Sequence, residues 1–300
     1  MMQAVAVADD LAAVFRSAGA RGFMHARPVD DGSGEVGVDA DAPVVTASVF
    51  KVPVLLELAR QAAAGEIDLT ERVVVPASRR TAGPTGLSVM LDDVEVSWRD
   101  LAFFMMSVSD NTATDVIMER VGVDRIAATL LALGLGDTAV DQDCAALLAE
   151  LAGDLGIDLA GEEPAAFTDL DPARVAAARA LNAPRTNRTT PREMTQLLSL
   201  IWTDQAGLPE ACAEVRRIMG LQVWPHRLSS GFPDGVAVAG KTGTLPGIRN
   251  EAGVVTYPDG RSYAVAVFTV ADSLASQQPA VDAAIGHAAR LAVDSMRTVS

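Results

Sequence analysis

Three short motifs, Ser48-Val49-Phe50-Lys51, Ser109-Asp110-Asn111 and Lys241-Thr242-Gly243, stand in that order along 300 residues. If they share one chemistry, the fold must return the last third of the chain to a helix that begins near residue 48. Each motif alone is weak, but all three in order arise by accident in on the order of one ordinary chain in a thousand. The stretch VFKVPVLLELARQAA predicts a helix with Ser48 in its opening turn. A spacing of three puts Lys51 on the same face, within reach of the Ser48 hydroxyl. A serine hydroxyl needs a base, and a lysine can serve once its pKa falls. Apolar neighbours (Val49, Phe50, Val52) and a second cation, Lys241, push it that way. The helix N-terminus also favours the negative charge that develops on an attacked carbonyl oxygen.

Ser109 and Asn111 fall where one helix ends and another begins, a loop able to present a proton-passing hydroxyl and a carbonyl-holding amide. The plainer reading of this loop is N-capping of TATDVIMER, and that of Ser48 and Lys51 a helix-opening serine with a solvated lysine. Lys241-Thr242-Gly243 follows a strand, where Gly243 lets a substrate lie along the edge. Residues 235–242 also satisfy the phosphate-loop pattern G-x-x-x-x-G-K-[ST], the mark of a nucleotide hydrolase. Their central four residues alternate as a strand does, and Thr244-Leu245-Pro246-Gly247 breaks the helix that should follow, so the match is read as a decoy.

A hydrophobic content of 49% in a chain of this length is enough to bury a core for one or two packed domains. A net charge of -15 with scattered Lys and Arg argues against a nucleic-acid partner. Cys144 and Cys212 are too few and too far apart for a disulfide framework or a C-x-x-C site, and His25, His226 and His287 are isolated. No metal or cofactor is expected. The N-terminal stretch has no basic n-region and breaks its apolar run with Asp9-Asp10, and no run approaches a membrane span, so a cytoplasmic location is expected. Oligomeric state is not legible.

Periodicity predicts a first helix over residues 9–18 and a strand over 22–28. Ser97 with Asp100, and Thr190 with Glu193, read as capping boxes, and Gly122 as a helix stop. Beyond Gly220 the extended runs VAVAG, EAGVVTY and YAVAVFTV predict consecutive antiparallel strands, with Tyr257-Pro258-Asp259-Gly260 as a turn and a last helix over residues 279–296.

The three motifs and their order resemble those of the class A β-lactamase-like serine hydrolases, a group that includes penicillin-binding proteins. The resemblance implies an α/β (α+β) fold with an antiparallel sheet flanked by helices plus a mostly helical domain. Residues 1–44 and 220–300 would form the α/β part, residues 45–219 the helical part, and the cleft between them the active site. It implies Ser48 as acylated nucleophile, Lys51 as its base, Ser109 as proton shuttle and Lys241 as an anchor for a substrate carboxylate. Backbone N–H groups of Ser48 and Thr244 would form the oxyanion hole, with Asn111, Asn182, Thr242, Gly243, Thr244 and Arg249 as substrate contacts. The family's arginine lies about one position away, where this chain has Asn250. The family's E-x-x-L-N reads here Ala178-Arg179-Ala180-Leu181-Asn182, so Ala178 stands where the water-activating glutamate is expected. Glu162, Glu163, Asp169 and Asp171 are the nearby carboxylates that could stand in. The expectation is a serine hydrolase acting on a small lactam, amide or ester, slow to release its acyl group. The alternatives are a ligand-binding protein without turnover and, more remotely, a nucleotide hydrolase.

Overall fold

The computed structural model describes residues 2–30, 34–157, 167 and 169–298. Its centre is a five-stranded antiparallel sheet built from both ends of the chain. The strands are β1 (Ala20–Pro28), β2 (Val36–Val38), β7 (Ala237–Leu245), β8 (Ile248–Thr256) and β9 (Ser262–Ala271), in the order β2-β1-β9-β8-β7. Pro246 and Gly247 turn the first hairpin of the meander, Gly247 at φ 69°, where a side chain would be strained. The second turn falls at residues 257–261 as the sequence predicted, with the Tyr257 N–H donating to the Arg261 carbonyl at 2.9 Å.

Side chains alternate along β9 and divide between two cores. Tyr263, Val265 and Val267 join Met24, Leu11 and Phe15 under α1 (Met2–Ser17) and α10 (Pro279–Arg297), which cover one face. Gly22 is required there, because a Cβ would stand 2.1 Å from the Phe15 ring. Ala264, Ala266 and Phe268 face the opposite way with Ala252 and Val254 of β8. They pack against α2 (Lys51–Ala63), α8 (Pro191–Trp202) and α9 (Pro209–Met219), and the same core runs on through α3 (Trp98–Ser107), α4 (Asn111–Val121) and α5 (Val123–Ala132). Each fully buried Leu, Ile, Val or Phe contributes roughly 1.5–3 kcal/mol, so both faces of the sheet are strongly held.

The helix starts follow local chemistry. Ser97 Oγ accepts the Asp100 N–H and donates to its carboxylate, and Thr190 accepts the Glu193 N–H at 3.1 Å. Glu193 does not complete a box. Its carboxylate accepts from Thr138 Oγ1 and the Asp137 N–H instead. Gly122 ends α4 at φ 84°. Two small strand pairs lie outside the expectation, β3 (Val44–Val45) with β6 (Arg188–Thr189) and β4 (Arg72–Val75) with β5 (Val94–Ser97), each too short to show a period. The segment after Gly136 carries α6 (Cys144–Leu155) and α7 (Pro172–Ala176), while Glu162 and Glu163 lie outside the described residues.

The phosphate-loop reading fails on the backbone. Residues 237–245 are one continuous strand in antiparallel register with β8, and the element that follows them is that strand, not a helix. Among the described residues, no helix is long and apolar enough to cross a membrane.

Candidate active site

Ser48 is half-buried in a 3-10 turn, Ala47–Phe50, that precedes α2 rather than opening it. The turn is sharp: Ala47 takes φ 45°, a left-handed conformation that costs a residue with a Cβ on the order of 1 kcal/mol or more. It is anchored on both sides. The Thr46 N–H and Oγ1 both donate to the Asn187 carbonyl at 3.1 and 2.9 Å, and Asn250 Nδ2 reaches from β8 to the Val45 and Thr46 carbonyls at 2.9 and 3.2 Å. Gly243 lets β7 close onto this turn. A Cβ there would lie 2.6 Å from the Thr46 carbonyl oxygen and 3.1 Å from the Ser48 nitrogen.

Lys51 is wholly buried, and its ammonium binds the Ser109-Asp110-Asn111 loop. Nζ donates to the Ser109 carbonyl at 2.8 Å, Asn111 Oδ1 at 2.9 Å and Ser109 Oγ at 3.3 Å, with the Asp110 carbonyl at 3.5 Å. These loop oxygens, rather than Ser48 Oγ, are its partners among the described residues. Burial pushes the Lys51 pKa down, opposed by Cys144, Asp110 and Asp115. The loop that receives it is firmly built. Ser109 sits at φ 62°, and the buried Asp110 carboxylate accepts from the Ala113 and Leu87 N–H groups and from Ser88 Oγ. Asn111 Nδ2 donates to the Ala82 carbonyl at 2.8 Å.

Lys241 is also wholly buried, on the edge strand β7, and donates to the Thr242 carbonyl at 2.9 Å. Burial and the charges of Lys51 and Arg227 drive its pKa well below the ordinary lysine value. The pattern of the hairpin decides which edge groups stay open. Leu245 and Ile248 flank a two-residue turn and bond to each other, so Thr244 and Thr242 turn their backbone groups outward. Gln222 Oε1 takes the Thr242 N–H at 2.9 Å. The same register turns the Thr244 N–H away from β8, next to Gly243, which meets the Ser48 turn.

Several sequence-named residues lie elsewhere. Arg249 is held by Asp282 through both carboxylate oxygens at 2.7 and 2.6 Å, and it also donates to the Ser276 carbonyl. The arginine at the strand is Arg227, which the sequence did not signal. It donates to the Gly243 and Asn250 carbonyls at 3.0 and 2.7 Å and to Thr244 Oγ1 at 2.8 Å, and its Nε binds Asp282. Ala178 is buried among Leu147, Leu151, Leu155 and Val175. Asn182 lines a cavity of about 440 Å³ with Val45, Leu181, Ile248 and Thr269, and makes backbone bonds to Arg179 and Arg185. Asp171 caps α7, and Asp169 is exposed.

The segment after Gly136 places Cys144 where it acts on the Lys51 charge. The Asp115 carboxylate accepts the Cys144 and Ala145 N–H groups at 2.7 and 3.0 Å, which docks the start of α6 on α4. There the buried thiol influences the Lys51 charge, and burial pushes its own pKa up to about 12.

A family model described as the Beta-lactamase enzyme family matches residues 6–296. The chain belongs to that family. It is 29% identical to the beta-lactamase regulatory protein BlaB of Streptomyces cacaoi, covering 99% of each. The beta-lactamase of Sphaerobacter thermophilus DSM 20745 superposes with a TM-score of 0.76 at 23% identity, over 98% of this chain and 97% of that one. A mutant of PBP-A, solved as an acyl-enzyme complex with penicillin G, gives 0.76 at 19% identity over 98% and 97%. The antiparallel sheet with its helices is thus the class A β-lactamase fold.

Proposed function

We propose that this chain is a serine hydrolase of the family in which Ser48 is acylated by a β-lactam, amide or ester and released slowly. The observation that carries the reading is the convergence of all three motifs: the buried Lys51 ammonium bonded to the Ser109 loop, and Gly243 of the third motif packed against the Ser48 turn. Ser48 Oγ attacks the carbonyl carbon while Lys51, in the neutral amine form that its burial-lowered pKa makes accessible, receives the hydroxyl proton and becomes the ammonium. The Ser48 and Thr244 N–H groups face the developing oxyanion, an arrangement whose loss costs on the order of 10²–10³ in rate elsewhere. Ser109 Oγ, at 3.3 Å from Lys51, passes a proton to the leaving nitrogen or oxygen. Lys241, Thr242 and Arg227 border the place of a substrate carboxylate, and Asn111 holds the substrate amide.

Slow release follows from the surroundings of Lys51. Among the described residues, the Asp110 and Asp115 carboxylates that act on its charge are committed to backbone N–H groups, and the group that the segment after Gly136 adds to them is the Cys144 thiol. Losing a general base costs about 10²–10⁴ in rate. The likeness to a regulatory protein along 99% of the chain favours a second reading, ligand capture without turnover, which shares the acylation step. Incubation with a chromogenic cephalosporin, following colour and intact mass together, tests both. A stoichiometric adduct with little sustained colour is expected for capture, slow multiple turnover for a hydrolase, and neither adduct nor colour with any lactam or ester overturns the proposal.

A further inference from the structure

Glu251 on β8 is a wholly buried carboxylate that none of these steps uses. Its Oε1 accepts from Gln222 Nε2 at 2.5 Å and its Oε2 from the Leu228 N–H at 2.7 Å. Gln222 passes the contact on, because its own Oε1 holds the Thr242 N–H at 2.9 Å. Leu228 follows Arg227, whose guanidinium binds the Gly243 carbonyl and Thr244 Oγ1. One carboxylate therefore ties down, from behind, both the outer edge of β7 and the arginine beside it. The strand is shaped around it: a Cβ on Gly240 would stand 2.8 Å from Glu251 Oε1.

We infer that Glu251 is a positioning residue that holds the Thr242 edge and Arg227 in the geometry receiving the carboxylate-bearing side of a substrate. The inference rests on the acyl-enzyme reading above. Glu251 acts by contact and, when ionised, by charge: burial raises its own pKa, opposed by the Leu228 N–H, Gln222 and the Arg227 and Lys241 charges. The charged and titratable groups around Lys241 are Lys51 on α2, Arg227, Cys144 at the head of α6, and Glu251. Lys51 and Arg227 disfavour the Lys241 proton, and Glu251 favours it. Removing the Glu251 charge lowers the pH at which Lys241 loses its proton. An amide at this position accepts through one oxygen only, so either Gln222 or Leu228 loses its partner.

The test compares the full wild-type chain with Glu251→Gln, Gln222→Ala, their double variant and Gly240→Ala, all checked by thermal unfolding. Adduct formation with a chromogenic cephalosporin is followed by intact mass over a range of concentrations and pH, separating the apparent dissociation constant from the first-order acylation constant. Glu251→Gln and Gln222→Ala should each weaken binding roughly tenfold with the acylation constant changed less than about threefold, and the double variant should show less than the summed effect. Only Glu251→Gln should move the loss of binding with rising pH to lower pH. Gly240→Ala, which keeps the charge, should weaken binding with the pH midpoint in place. Variants that match wild type in both constants and the pH midpoint, or that lose both constants equally at every pH, overturn the inference. A wild-type chain that forms no adduct sinks the acyl-enzyme reading instead. Amide exchange at Thr242 then decides the positioning role: slow in wild type and fast in Glu251→Gln and Gln222→Ala supports it, and unchanged exchange overturns it.

Discussion

Gly243 has no side chain, and that sets the distance between nucleophile and edge strand. An alanine there would place a Cβ 2.6 Å from the Thr46 carbonyl oxygen, a backbone atom that cannot swing aside. Gly243→Ala should cost about 1–3 kcal/mol of stability through overpacking. It should also slow Ser48 acylation by about 10²-fold or more, because reacting groups shift by the order of an ångström. Melting and adduct kinetics check both. Cys144 gives a second outcome. With its thiol pushed up to about 12 by burial, it should resist iodoacetamide in the folded chain and react once the chain is unfolded in denaturant. Fast labelling of the native protein would contradict the placement. That the motifs of Ser48, Lys51, Ser109 and Lys241 meet was legible in the sequence because each motif is contiguous. Arg227 was not, since nothing in WPHRLSSG distinguishes it, and the hold of Asp282 on Arg249 was hidden because the two lie 33 residues apart. Ala178 stands where a five-residue pattern puts the glutamate, whereas the approach of Cys144 depends on a helix start docked on Asp115, 29 residues away.

Caps and hairpins are short-range features, and this is why the elements were read more securely than their contacts. Ser97 and Thr190 each meet an N–H three residues on, so the signal and the structure occupy the same window. Thr190→Ala should lower stability by about 1 kcal/mol, read from the denaturant midpoint at constant slope. An unchanged midpoint would mean that α8 is held by packing alone. The β3–β6 pair joins residues 44–45 to 188–189, and two residues per strand leave no period to detect. Glu193 likewise took long-range partners, Thr138 and Asp137, in place of the local box. The three antiparallel strands after Gly220 were legible from alternation, while the edge status of β7, which opens the Thr244 N–H, depends on strand order.

For the whole molecule, the sheet drawn from both termini was foreseeable, but its sharing of one core with α2, α8 and α9 was not. That core brings the first two motifs against the third. His25 reports on how tightly the sheet and α8 are joined. It is buried on β1, with Nδ1 2.6 Å from Thr195 Oγ1 and Nε2 3.1 Å from Arg192, and burial lowers its pKa to about 4. The unfolded chain, with a histidine pKa near 6.5, binds that proton first. Stability is therefore full above about pH 6.5 and falls by up to about 3 kcal/mol as the pH drops toward 4. His25→Gln should flatten the melting temperature across that window, and an equally steep profile would contradict this source. The most direct measurement of the site itself is the intact mass of the wild-type chain and of Ser48→Ala after exposure to the same cephalosporin. The expected result is one acyl group on Ser48 in the wild type and none in the variant. An adduct that persists in Ser48→Ala, or that maps to another residue, would contradict the assignment of the nucleophile.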